Sequence, residues 1–467
     1  MRAALCAGLL LAACGGGGGD SGAPPVPLST RLSAPPPLAD GLSGSLTLSA
    51  DAQAGAAAVA FEIDGSPLGE DTNAPYAVTF DANAWPPGQH VLRARSRDAG
   101  GNVSAWSSVT VRFAGGTADV PPGFSRDSSW VTGLANATTF APMADGRWLI
   151  AEQGGTLRLV KNGVLLATPF ATLANVDARG ERGLIGVALH PDFAANGFVY
   201  LHYTSSTGGA HNRIVRLAAS PANPDVAAPG ETLIAALPVL SSATNHNGGA
   251  LHFGVDGKLY AGVGDNAQSA RAQDPAHPFG KLLRFNDDGS IPADNPQATS
   301  HAGLARAVWA LGLRNPFTFA IQPQSGRMHI NDVGQDAWEE INLGAAGANY
   351  GWPHSEGPAG VAAGHTAPLF AYAQTAATPP GSGAGGFFVG FAIAGGAFYP
   401  ASGPFPAAYR GSYYFADFVG RYVGRLDTDN GASLFARVAG APVDLRVGAD
   451  AALYVLTRDG IERIAAL

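Results

Sequence analysis

The sequence predicts an all-β protein, a six-bladed β-propeller preceded by a small β-sandwich, on three observations. The 467 residues include 63 glycines and 34 prolines, about a fifth of the chain. That density of turn-formers breaks long helices and suits short strands. From about residue 120 onward one two-strand phrase recurs six times, and a repeated sheet that cannot bury both faces alone is stable when stacked radially. Between residues 38 and 113 apolar and polar residues instead alternate with a period of two, as in an antiparallel sandwich.

The first element is a targeting segment. Arg2 precedes a short apolar stretch, residues 3–13, and the run Leu11-Ala12-Ala13-Cys14 has the layout of a lipoprotein signal. Residues 1–14 are thus expected to be a signal peptide ending at a lipid-modified Cys14. The chain would then be exported and anchored, at an outer membrane facing the periplasm or at the cell surface. Gly15 rather than Asp after Cys14 agrees with that address. Cys6 would lie in the part removed, and the mature chain would then have no disulfide and no free thiol. Residues 15–37 are rich in Gly, Ser and Pro and read as a linker.

Residues 38–115 form the expected sandwich: SLTLSA, VAFEID, YAVTF, HVLRARS and SVTVRF, separated by DGSPLGED, NAWPPGQ and DAGGN. The stretch from Val59 to Phe113 resembles bacterial immunoglobulin-like modules and carries no chemistry, so it is expected to space or orient the next domain. The propeller spans 120–467. Its six phrases are WLIAEQGGTLRLV, FVYLHY with RIVRL, LYAGVGD with KLLRF, MHINDVGQDAWEEINL, YYFADFVGRYVGRL and LYVLTRDGIERI. Their uneven spacing leaves long insertions at 265–310 and 344–400. Loops of this kind on one propeller face usually build its site.

Charge and motifs narrow the function. Net charge is −8 and the only lysines are Lys161, Lys258 and Lys281, so no basic patch exists for nucleic acid. No later apolar run approaches the ~20 residues of a membrane span. Zinc, phosphate-loop and nucleophile-elbow patterns are absent. Acid–base, metal-assisted or cofactor chemistry and pure binding remain. His190 ends the apolar run in GERGLIGVALHPDF (180–193), where an imidazole could take a proton or simply cap a turn. The stretch 244–275 is dense in Asn, Gln and Asp around glycines, suited to sugar hydroxyls or a hard cation, or to a set of turns. Glu339 and Glu340, with the glycine-rich loop that returns to Tyr350 in EEINLGAAGANYGWP, could supply a carboxylate and backbone carbonyls to a Ca²⁺ corner. Arg314, in GLRNP, could pin a loop.

Taken together, GERGLIGVALHPDF, NHNGG, FGKLLRFNDDGSIPADNP, GLRNP and EEIN…NYGWP resemble, in order, the soluble glucose/sorbosone dehydrogenase family, near its aldose sugar dehydrogenases. The resemblance covers about 125–467. It implies a six-bladed propeller holding pyrroloquinoline quinone (PQQ) and Ca²⁺. It implies oxidation of aldoses at the anomeric carbon to lactones by hydride transfer to the quinone, with an electron acceptor as second partner. His190 would be the general base. Gln268, Arg271, Arg314, Arg421 and Arg446 would meet the cofactor, and Glu340 and Tyr350 a Ca²⁺. PQQ carries three carboxylates and calls for several cations, yet this chain departs from the family there. Ala250 and Ser269 replace arginines, 415–421 lacks lysine, and a paired-arginine motif aligns with Ala441 and Val443. Two further functions therefore stand beside the first: a non-catalytic propeller that binds glycan or protein, and a Ca²⁺-dependent lactone hydrolase.

Overall fold

The computed structural model describes residues 28–35, 39, 41–113, 118–374 and 389–467. The segment expected to be a signal peptide, residues 1–14 with Cys14, lies outside them. Strands dominate and the few helices are single turns.

Two sheets form the N-terminal module. One pairs Thr30–Ala34, Ser45–Ala52 and Tyr76–Asp81; the other orders Ser66–Asp71, Ala56–Ile63, Gly88–Asp98 and Ser107–Phe113. They share one core around Leu48, Val59, Phe61, Leu92 and Val111. Thr30–Ala34 lies in the segment expected as linker. Its Leu32 is buried and its ladder with Ser45–Ala52 carries a bulge, so a short edge strand among prolines shows no period in sequence.

Six further sheets follow in chain order. The six recurring phrases are the second and third strands of these sheets, such as Trp148–Glu152 with Thr156–Lys161. The first strands are Ala137–Pro142, Leu184–Leu189, Leu251–Phe253, Pro316–Ile321, Ile393–Phe398 and Pro442–Val447. They stand beside one another in cyclic order, the sixth against the first. Six apolar clusters fill the six gaps between neighbouring sheets. Both faces of every sheet are thus covered, which is why these strands read as continuous apolar runs. The last sheet is completed by Phe124–Thr132, which pairs with the C-terminal strand Gly460–Ala466. Pairing the strand that follows the N-terminal module with the last strand of the chain closes the ring.

The module does not hang free. Its strand Gly88–Asp98 packs on Ala432–Arg437, the outer strand of the fifth sheet. Arg425, 1% exposed, donates to the Asp64 carbonyl at 2.7 Å, to the Ala408 carbonyl at 2.7 Å and to Ser412 Oγ at 3.0 Å. Gln89 donates to the Ala432 carbonyl and Arg93 pairs with Asp427. At Gly88 (φ +145°) a Cβ would stand 2.7 Å from Leu434, so the contact requires glycine there.

One buried group makes this fold acid-sensitive. His329 lies between Phe398 and Tyr413, ring centroids 4.7 and 4.5 Å away. Neither ring nitrogen has a partner among the described residues. Burial pushes its pKa down to about 3, with Arg327 adding to the shift. The unfolded chain takes up a proton near the ordinary 6.5 while the folded one resists. Stability therefore falls as pH drops below 6.5, by about 2 kcal/mol for this group between pH 6.5 and 5. Urea unfolding at the two pH values should show that loss, reduced by about this amount in His329→Leu. Parallel pH profiles for the two proteins would contradict it.

Candidate functional site

All six first strands run the same way along the ring axis, so the loops before them gather on one face. On that face the axis opens into a cavity of about 280 Å³. Its wall is apolar at Ile185, Phe317, Val333, Ile393 and Val443, and polar at Thr138, Gln153, Glu181, Asn315 and Arg458. At the other end of the axis lies a separate cavity of about 470 Å³, lined by Leu189, Phe253, Ile321 and Arg446 among others.

Beside the first cavity stands an imidazole–carboxylate pair. His246 Nδ1 lies 2.8 Å from Asp265 Oδ1. Asp265 is buried and accepts two more bonds, from the Ala267 N–H at 2.7 Å and Trp352 Nε1 at 2.8 Å. With the carboxylate on Nδ1, that nitrogen carries the proton and Nε2 keeps its lone pair. No described residue bonds Nε2. The backbone N–H of His246 donates to Glu181 Oε2 at 2.7 Å, which ties the pair to the cavity wall. His246, Asn266 and Ala267 all adopt left-handed backbone (φ +54°, +52°, +54°). Strained residues held by surrounding bonds are a mark of functional loops. Here Asn266 supplies those bonds, accepting from Ser241 N and donating to the Ala243 carbonyl.

The local sequence explains the meeting of His246 and Asp265. One stands before strand Leu251–Phe253 and the other after its hairpin partner Leu259–Val263, so both lie at the same end. The double glycine of NHNGG lets the chain pass between first strands: a Cβ at Gly249 would sit 2.7 Å from the Ile185 carbonyl. The loop beyond Asp265 is anchored by Lys281, whose buried ammonium donates to the carbonyls of Arg271, Ala272 and Phe279. Burial pushes Lys281 down to about 7.

The residues singled out in sequence are scattered. His190 ends strand Leu184–Leu189 on the opposite face, beside a different surface pocket. Its Nδ1 already accepts from Asp192 N at 3.0 Å and Asn196 Nδ2 at 2.8 Å, and its Nε2 faces Asp287 at 3.5 Å. That tautomer has no lone pair left to take a proton. Arg446 pairs with Asp444 at 2.6 Å and lines the far cavity. Arg271 is half-exposed near Asp274. Arg314 lies over the Trp352 ring at 5.5 Å and bonds the Val333 carbonyl, so it braces the partner of Asp265. Gln268 continues the Asp265 turn through its N–H. Arg421 lines a depression of about 510 Å³ next to the first cavity. The five do not surround one cleft.

Glu340 is buried and accepts from Gly357 N at 2.6 Å and Asn342 Nδ2 at 3.1 Å. In the ladder it opposes Asp332, whose pKa is pushed up to about 8 by burial and by Glu340. The Tyr350 carbonyl meets no backbone N–H among the described residues, while its hydroxyl donates to the Leu343 carbonyl. Among the described residues no group of three or more His, Cys, Asp or Glu is arranged for a metal.

The glucose / sorbosone dehydrogenase family matches residues 134–465, and the bacterial Ig domain matches 30–94. The aldose sugar dehydrogenase YliI of Escherichia coli is 36% identical over 219 residues, 46% of this chain and 58% of that protein. This chain thus spans little more than half of that relative's length. Hedgehog-interacting protein of Mus musculus is 30% identical over 230 residues, 43% of this chain and 32% of its own. The PQQ-bound form of aldose sugar dehydrogenase from Streptomyces coelicolor matches at a TM-score of 0.60 with 26% identity, covering 74% of this chain and all of that one.

Proposed function

The chain belongs to the glucose/sorbosone dehydrogenase family, and from that premise we propose that it oxidises aldose sugars at the anomeric carbon, with PQQ as cofactor. The six sheets are read as propeller blades, with an Ig-like module docked on the fifth. The observation that carries the proposal is the His246–Asp265 pair beside the axial cavity. PQQ, when bound, supplies the hydride acceptor. The chain's own part is to seat it, to place the sugar and to move one proton.

His246 Nε2 takes the proton of the anomeric hydroxyl. Asp265 holds the tautomer and stabilises the imidazolium that forms, a division of labour that needs no proton on the carboxylate. The role expected at His190 is therefore assigned to His246, whose Nε2 is unbonded among the described residues and whose backbone N–H holds Glu181 of the cavity wall. One group of the cavity wall suits an anionic cofactor: Arg458, whose guanidinium bonds only uncharged oxygens among the described residues. Ca²⁺ would take the Glu340 carboxylate and the Tyr350 carbonyl, with Asp332 adding the charge that burial leaves uncompensated. Cys14 would carry the lipid that places the enzyme at the membrane.

A second reading is a propeller that binds glycan or protein without turnover. One observation favours it: the cavity wall offers a single guanidinium and also a carboxylate, Glu181, which opposes an anionic cofactor. The name of the mouse relative is likewise that of an interacting protein. The two readings part in one assay. Apo-protein is mixed with PQQ and Ca²⁺, and dye reduction is followed across a panel of aldoses. Sugar-dependent reduction that requires PQQ is expected. No reduction with any aldose, and no PQQ bound, would leave the binding reading.

A further inference from the structure

At Ala441 and Val443, where the family resemblance would place arginines, the chain carries no charge, but a guanidinium stands nearby. Val443 lines the axial cavity and Ala441 the adjoining depression. Arg458, in the turn between Leu453–Thr457 and Gly460–Ala466, lines both. The small side chain at 441 and the apolar one at 443 leave that space to its guanidinium. Nη1 donates to the Ala137 carbonyl at 3.1 Å and Nη2 to Gln153 Oε1. Both partners are neutral. Thus a half-buried cation has no counter-ion among the described residues, a costly state unless an anion arrives. Arg421, whose side chain is likewise unpaired among the described residues, shares the depression. The Asp459 carboxylate there accepts from Thr457 Oγ1.

We propose that Arg458, seconded by Arg421, seats a carboxylate of PQQ and takes over the work of the arginines that this chain lacks at 441 and 443. The proposal rests on the PQQ reading above and deepens it. A guanidinium binds a carboxylate through two parallel N–H bonds, and Arg458 is held in place for this by Ala137 and Gln153.

The test is calorimetric titration of PQQ into the apo-protein with Ca²⁺ present, at two salt concentrations. Arg458→Ala is expected to weaken binding about 10- to 100-fold, the value of a hydrogen-bonded charge, and to flatten the salt dependence. Arg458→Gln keeps an amide for the Ala137 carbonyl but not the charge, and should lose as much while melting like the parent. The double variant R458A/A441R should regain affinity. Tight PQQ binding unchanged by Arg458→Gln would overturn this inference and leave the dehydrogenase reading standing. Absence of PQQ binding in the parent would overturn both.

Discussion

His246→Ala is expected to lower aldose turnover by about 10³-fold, the usual worth of a positioned general base. PQQ affinity should change little, because the imidazole acts on the sugar proton. Asp265→Asn should lose nearly as much. An amide can accept from Nδ1–H, but it cannot stabilise the imidazolium, and its N–H₂ favours the wrong tautomer. His190→Ala should keep its turnover. It costs about 1 kcal/mol of stability through the lost bonds to Asp192 and Asn196. Steady-state kinetics of the three variants, with PQQ binding and melting beside them, decide the matter. If His190→Ala were inactive and His246→Ala active, the assignment of the base would be wrong.

The second large effect concerns stability. Arg425→Ala should destabilise the protein by about 4 kcal/mol. It opens a cavity against Tyr409, whose ring the guanidinium covers at 4.5 Å, and strands the carbonyls of Asp64 and Ala408 without a donor. The N-terminal module should then part from the fifth sheet and enlarge the radius of gyration in solution scattering. Turnover should persist, since the contact lies on the outer edge of the sheet. An unchanged melting temperature and an unchanged radius would mean that the module is held elsewhere, through Arg93–Asp427 and Gln89.

Repetition made the fold legible. Phrases such as LYVLTRDGIERI carry two strands each in unbroken sequence, so their number and order can be counted along the chain. The first and outer strands could not be read so easily. Leu251–Phe253 has three residues, too few for any period. Phe124–Thr132 finds its partner at the far end of the chain, where no local signal points.

The site divides the same way. The polar glycine-rich stretch 244–275 marks the region of the His246–Asp265 pair, because closely packed first strands need glycine and strained loops need Asn and Asp. The choice among histidines was not legible. His190 and His246 are both imidazoles beside short apolar strands, and they differ in which end of a strand each occupies and which nitrogen is already bonded. Trp352 reaches Asp265 across 87 residues, and Arg458 enters the space over Ala441 from the following turn. The sequence by itself determined the strand-rich class, the repeat, the family and the polar loops, because these depend on composition and short-range pattern. Only the tertiary structure decided which imidazole is free to take a proton and where the cations stand, because both depend on contacts between residues far apart in the chain.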